Sequence, residues 1–230
     1  MWHTSHILAP EDPLCRRPID GCQLDEEALY VLWLSRALLR QLATHQTEEK
    51  TDCYIFTSLF KARSQVQHHI LSLKESTLRT ALLLLASIVV VPLPSGAKTT
   101  EALKKRLANQ LDRHSASNAD YRLHLWLYVV GGICPYDGSR KKYIRQATML
   151  CCEARISTFL EIQSYLSEIL WPAQVFEADW AWPFWQDLLL NLSDSAREVS
   201  TGFCARTTSS DQGRSYSLLL TWAEEYVFGA

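Results

Sequence analysis

Cysteine, histidine and tryptophan are the residues with the means to do chemistry in this chain, and their spacing limits what they can do. The seven cysteines stand at 15, 22, 53, 134, 151, 152 and 204. Cys15 and Cys22 flank a six-residue stretch that holds Arg16 and Arg17. A structural zinc ion needs about four ligands closed around it. No adjoining Cys-x2-Cys and no second set of thiols follow, so the pair falls short of a metal site. His3 with His6, and His68 beside His69, are the other candidates. Neighbouring residues on a helix point about 100° apart and do not chelate one ion together. No carboxylate recurs four residues on. Cys151-Cys152 is too contracted for an ordinary disulfide and lacks the Cys-x-x-Cys redox spacing. No metal, cofactor-binding or catalytic residue is therefore expected.

Enzyme motifs are missing as well. The sequence contains no Gly-x-Ser-x-Gly elbow, no Gly-x-Gly-x-x-Gly, no phosphate loop and no His-Glu-x-x-His. Its acids are dispersed, with no Asp-rich cluster of the kind that handles diphosphates through metal ions. The densest feature is aromatic: Trp171, Trp180, Trp182 and Trp185 lie within fifteen residues, half of the eight tryptophans in the chain. Tryptophan is large and amphipathic, suited to locking helices together or to anchoring a partner. Core locking is the expected role, with a ligand or partner pocket as the other reading that spacing leaves open.

Such residues need elements to position them, and composition points to helices. The chain has 230 residues, of which 47% are hydrophobic, with 23 basic against 25 acidic residues and a formal charge of −2. That apolar fraction excludes wholesale disorder. The balanced charge argues against a surface devoted to nucleic-acid phosphates. Glycine and proline number eight each, while leucine is abundant, so turn-formers are few and helix-formers many. The odd cysteine count, the irregular spacing and a start, MWHTSHILAPEDP, without a secretory pattern point to reduced thiols in a nuclear or cytoplasmic protein. The longest apolar run, Ala81 to Leu93, has 13 residues. About 20 are needed to cross a bilayer, so it reads as a buried helix and not a membrane span.

The expected fold is all-α: a single helical domain of about seven to nine helices with irregular ends. Residues 1–23 carry Pro10, Pro13, Pro18 and Gly21 and read as an arm; 24–192 form the helical region; 193–230 are a polar loop with a possible short helix over 216–228. Asp25 caps a helix to about His45, and a second begins near Asp52. A third starts at Lys74-Glu75-Ser76, and a fourth at Thr99-Thr100-Glu101 with Leu103, Leu107 and Leu111 facing inward. Lys104, Lys105 and Arg106 are placed on its opposite, solvated side. The stretch ADYRLHLWLYVVGGI reads as a central helix whose end is marked by Gly131-Gly132. Ser139 starts a helix to about Ala154. Thr158 with Glu161 forms a capping box for a helix ending near Leu170-Trp171-Pro172. The last helix runs from about Trp182 to Asn191.

Three of these stretches, in order, carry a resemblance. STLRTALLLLASIVVVPLPS, RLHLWLYVVGGICP, and ISTFLEIQSYLSEILWP followed by ADWAWPFWQDLL resemble the C-terminal part of the regulatory domain of fungal zinc-binuclear-cluster transcription factors. The likeness spans about half the chain, with Arg79, Trp126, Trp171 and Trp185 at family-like positions. It implies a non-catalytic, all-α regulatory or interaction domain of a nuclear transcription regulator, truncated or divergent, without the six-cysteine DNA-binding cluster. A protein partner or small effector is then expected, with no direct DNA contact by this chain. A small helical enzyme with a site assembled from distant residues, or a non-functional gene remnant, are the alternatives.

Overall fold

The computed structural model describes residues 24–46, 53–90, 97–113, 121–133, 140–171 and 181–204. Among these the protein is all-α. Its eight α-helices are α1 (Glu26–Gln46), α2 (Cys53–Ser72), α3 (Thr77–Leu85), α4 (Lys98–Arg113), α5 (Tyr121–Ile133), α6 (Arg140–Glu153), α7 (Phe159–Ile169) and α8 (Trp182–Cys204). No strand occurs among the described residues. The chain divides into two compact units, Met1–Ser193 and Asp194–Ala230; the described part of the second is the end of α8. The terminal arm 1–23 and the possible helix over 216–228 lie outside the described residues.

Local chemistry explains three of the helix starts. The backbone N–H of Ala28 donates to Asp25 Oδ1 at 2.7 Å, and Glu26 and Glu27 oppose the positive end of α1. Ser76 caps α3 by accepting from the Arg79 N–H at 3.2 Å. Thr158 and Glu161 form the complete capping box: the Glu161 N–H donates to Thr158 Oγ1 at 3.3 Å, and the Thr158 N–H to Glu161 Oε2 at 3.0 Å. The end of α6 takes another route. Arg155 adopts φ 57°, which lets the Ile156 N–H reach the Cys151 carbonyl at 2.8 Å and closes the helix with a left-handed residue that is not glycine.

The apolar run begun in α3 changes pitch after Leu85, where Ala86–Val90 form a π-helical turn. Ser87 Oγ donates to the Leu84 carbonyl there, at 2.7 Å. Around this run the core assembles. α5 is the hub, packed against α3, α4, α6 and α7, while α1 pairs with α2 and α2 with α3. Leu125, Trp126 and Val129 of α5 are fully buried, as are Leu84, Leu107, Ile162 and Trp185 from its surroundings.

Three details depart from the sequence expectations, two of them for a packing reason. Gly131 and Gly132 do not end α5; the helix continues through them to Ile133, and both are buried. A Cβ on Gly131 would enter the ring of Tyr143 from α6, lying 2.7 Å from its Cζ. One on Gly132 would enter the ring of Phe184 from α8, 3.0 Å from its Cδ2. Close approach of neighbouring rings, and not a left-handed cap, requires glycine at both. Lys104 is not on the solvated side of α4. It shares the buried stripe with Leu107 and Leu111 and is 4% exposed, because three- and four-residue steps place 104, 107 and 111 on one face. Only Lys105 and Arg106 of that triplet are exposed. Finally, α8 runs on to Cys204 instead of ending at Asn191. Its polar residues after Leu192 contain no proline, and a polar composition without an apolar period does not by itself stop a helix.

Candidate functional site

Helix α7 ends without help from its own sequence. Its last turn carries no basic residue, and its C-cap, Leu170, is extended (φ −166°, ψ 109°) where a left-handed glycine would have closed the turn. The last carbonyls of a helix have no partner within it, so donors must come from other elements. Two other helices supply them. Arg36 of α1 donates through Nε to the Ile169 carbonyl at 2.6 Å and through Nη2 to the Glu168 carbonyl. Trp126 of α5 donates its indole N–H to the Leu170 carbonyl at 2.5 Å. The guanidinium also sits where a cation is favoured, at the negative end of the helix dipole.

Beside this cap lies a half-exposed polar cluster. Arg122 Nη1 meets Glu168 Oε2 at 2.5 Å. Its guanidinium carbon lies 5.2 Å from the centre of the Tyr165 ring and 6.0 Å from that of Tyr121, within cation–π range. The two tyrosine rings are 6.3 Å apart. Arg122 also donates through Nε to the Tyr121 hydroxyl at 3.4 Å. That bond, aided by Glu168 against the opposing effect of partial burial, raises the arginine above its ordinary pKa. Tyr165 is likewise raised, first by its hydrogen bond with Tyr121.

An aromatic cluster around Trp185 joins the segment after α7 to Phe159, the first residue of that helix. Trp171, half-buried, meets Trp185 edge to face at 5.8 Å; Phe159 and Phe184 meet the same ring at 5.4 and 5.1 Å. Edge-to-face rings at these distances add to the stability that burial already gives. Of the four family-like positions, Trp126, Trp171 and Trp185 thus converge here. Arg79 does not: it is a half-buried residue in the first turn of α3. Trp185 has core locking as its role, since it is fully buried, while Trp182 is half-buried against the core. Trp180 lies outside the described residues.

No protein-family model matches this chain, and no curated protein or solved structure is significantly similar to it.

No group of three His, Cys, Asp or Glu side chains able to hold a metal occurs among the described residues. Cys151 is fully buried, and burial, with Cys152 adding, pushes its thiol up to about 12, far from the thiolate that nucleophilic chemistry requires. Cys15, Cys22, His3 and His6 lie outside the described residues. His68 and His69 have ring centres 6.0 Å apart, and the His69 ring packs edge-on against Tyr30 at 5.4 Å. None of the described helices is long and apolar enough to cross a membrane. Arg36, Arg122 and Glu168 were not singled out from the sequence. The available signal was negative: a helix ending in Glu-Ile-Leu-Trp-Pro, with neither glycine nor a basic residue, has carbonyls that another element must satisfy.

Proposed function

We propose that this chain is a non-catalytic helical regulatory or interaction domain, related to the regulatory domains of fungal zinc-binuclear-cluster transcription factors and acting in the nucleus. The observation that carries the reading is the convergence of Trp126, Trp171 and Trp185 at the end of α7. These are three of the four family-like positions, Arg79 being the exception, and they occupy one junction of four helices. The adjoining surface supports an interaction role. Arg122, Tyr121, Tyr165 and Trp171 are all half-buried, and arginine, tyrosine and tryptophan are the types enriched where protein partners bind most strongly.

The test is a reporter assay. Fused to a heterologous DNA-binding domain in a fungal host, the chain should alter transcription from a promoter carrying the matching operator. A fusion that accumulates in the nucleus and leaves transcription unchanged would overturn the proposal.

A further inference from the structure

The charge on the seam between α4 and α6 is distributed against the interest of the helices that carry it. Helix α6 opens with Arg140, Lys141 and Lys142, adds Arg145 one turn later, and has no acid in its first turn. Cations at a helix N-terminus oppose the dipole, so helix stability does not account for them. Two are matched by acids from neighbours: Arg140 by Asp187 of α8 at 3.2 Å, and Lys142 by Asp112 of α4. The Lys142–Asp112 pair lays the start of α6 beside the end of α4. There Lys105 is exposed on the same face of α4 as Asp112, two turns away, and as Glu101, one turn away, while Arg113 points about 100° from Asp112. Lys141 and Arg145 are exposed too, with no ion pair to any described residue. The first two turns of α6 therefore carry four cations and no acid, in a chain whose overall charge is −2.

Beyond the cations the stripe turns apolar before it reaches the exposed Glu153. Three- and four-residue steps place Lys141, Arg145, Met149 and Cys152 on one stripe of α6. Met149 is 48% exposed, and Cys152 is exposed beyond it. The stripe is basic for its first half and apolar for its second.

We propose that the α4–α6 seam is a docking surface for an acidic segment of a partner protein, one in which apolar residues are interleaved with the acids. Complementary charge brings such a segment in and sets its direction. Lys141 and Arg145 take its carboxylates, and Met149, unbranched and adaptable, takes an apolar side chain. Nucleic acid fits less well. A phosphate backbone gains nothing from Met149, whereas an acidic segment with interleaved apolar side chains uses it. The inference rests on charge and exposure at α4 and α6, away from the end of α7, and stands whether or not the transcription-factor kinship does.

The experiment is a fluorescence-anisotropy titration of the full chain with a labelled synthetic peptide of repeating Asp-Glu-Leu-Phe. The same titration is run with a peptide in which serine replaces the apolar residues, with a DNA duplex, and with phosphatidylserine vesicles. The parent protein should bind the Asp-Glu-Leu-Phe peptide best, and less tightly as salt is raised. The double variant Lys141→Glu/Arg145→Glu should lose roughly tenfold or more in affinity. It should melt close to the parent, because Lys141→Glu in the first turn of α6 agrees with the dipole and the exposed 141/145 pair is like-charged in both proteins. Met149→Ser should weaken the apolar peptide and leave the serine peptide unchanged. The proposal is overturned by a double variant that binds as the parent does, by tighter binding to duplex or vesicles than to peptide, or by no peptide binding at all. Silence in the reporter assay alongside intact peptide binding would remove the transcriptional reading and leave this surface standing.

Discussion

Helix α5 is held at two places by opposite means. Toward α6 and α8 the contact depends on side chains that are absent: Gly131 and Gly132 let the rings of Tyr143 and Phe184 lie against bare backbone. Toward α7 it depends on side chains that donate: the Trp126 indole, with Arg36 from α1, satisfies carbonyls that the end of α7 leaves open. The first contact is close-packed and apolar, and any added atom damages it. The second is directional, and loss of a donor leaves a buried carbonyl unpaired. Shape sets the distance between helices at one end of α5, and hydrogen bonding sets the partner at the other.

The largest effect is expected at Trp126. Trp126→Ala should destabilise the protein by about 3–5 kcal/mol in denaturant unfolding, since it empties a fully buried site. Trp126→Phe keeps most of the bulk and removes the donor, and should cost about 1–3 kcal/mol for the unpaired Leu170 carbonyl. Were Trp126→Phe neutral, the polar account of this contact would fail and the two ends of α5 would be alike.

Gly131→Ala should cost about 1–3 kcal/mol through overpacking, although alanine is the better helix former by about 1 kcal/mol. Adding Tyr143→Leu to that variant should restore part of the loss, because the Tyr143 ring is what the new methyl meets. An alanine that stabilises the protein, as helix propensity alone would have it, removes the close-approach argument. Arg36→Met comes next, at about 1–2 kcal/mol for a half-buried donor to two carbonyls. Thermal unfolding of this variant beside Trp126→Phe and the double substitution would show whether the two donors act as one cap. Additive losses would mean that they do not.

The smallest effect is at the start of α7. The backbone N–H groups of Ser157 and Thr158, both donating to Glu161, hold its carboxyl below the ordinary 4.5. A depressed carboxylate stabilises the fold above its unfolded pKa, and that contribution disappears as pH falls through the lower folded value. The melting temperatures of the parent and Glu161→Gln should therefore differ at neutral pH and converge as pH drops below the ordinary carboxylate range. A gap that persists into strong acid would show that the charge is not what the cap uses.

Much of the helical layout was legible because it is written locally. Asp25, Ser76, Thr158 and Glu161 act on backbone groups within three or four residues, so sequence neighbours suffice to identify them. The apolar repeat of Leu103, Leu107 and Leu111 fixed which side of α4 faces in. It did not settle Lys104, whose long aliphatic stem allows burial on the same face that its charge would place outside. The cap of α7 was not legible, because Arg36 lies more than 130 residues from the carbonyls it serves.

The sequence by itself determined an all-α chain, where most of its helices begin, and which of their faces are apolar. Those properties follow from interactions across one or two turns. Only the tertiary structure decided what Gly131, Gly132, Lys104 and Trp126 are for. A glycine that ends a helix and a glycine that admits a ring look the same along the chain. The difference is the side chain opposite, and that belongs to another helix.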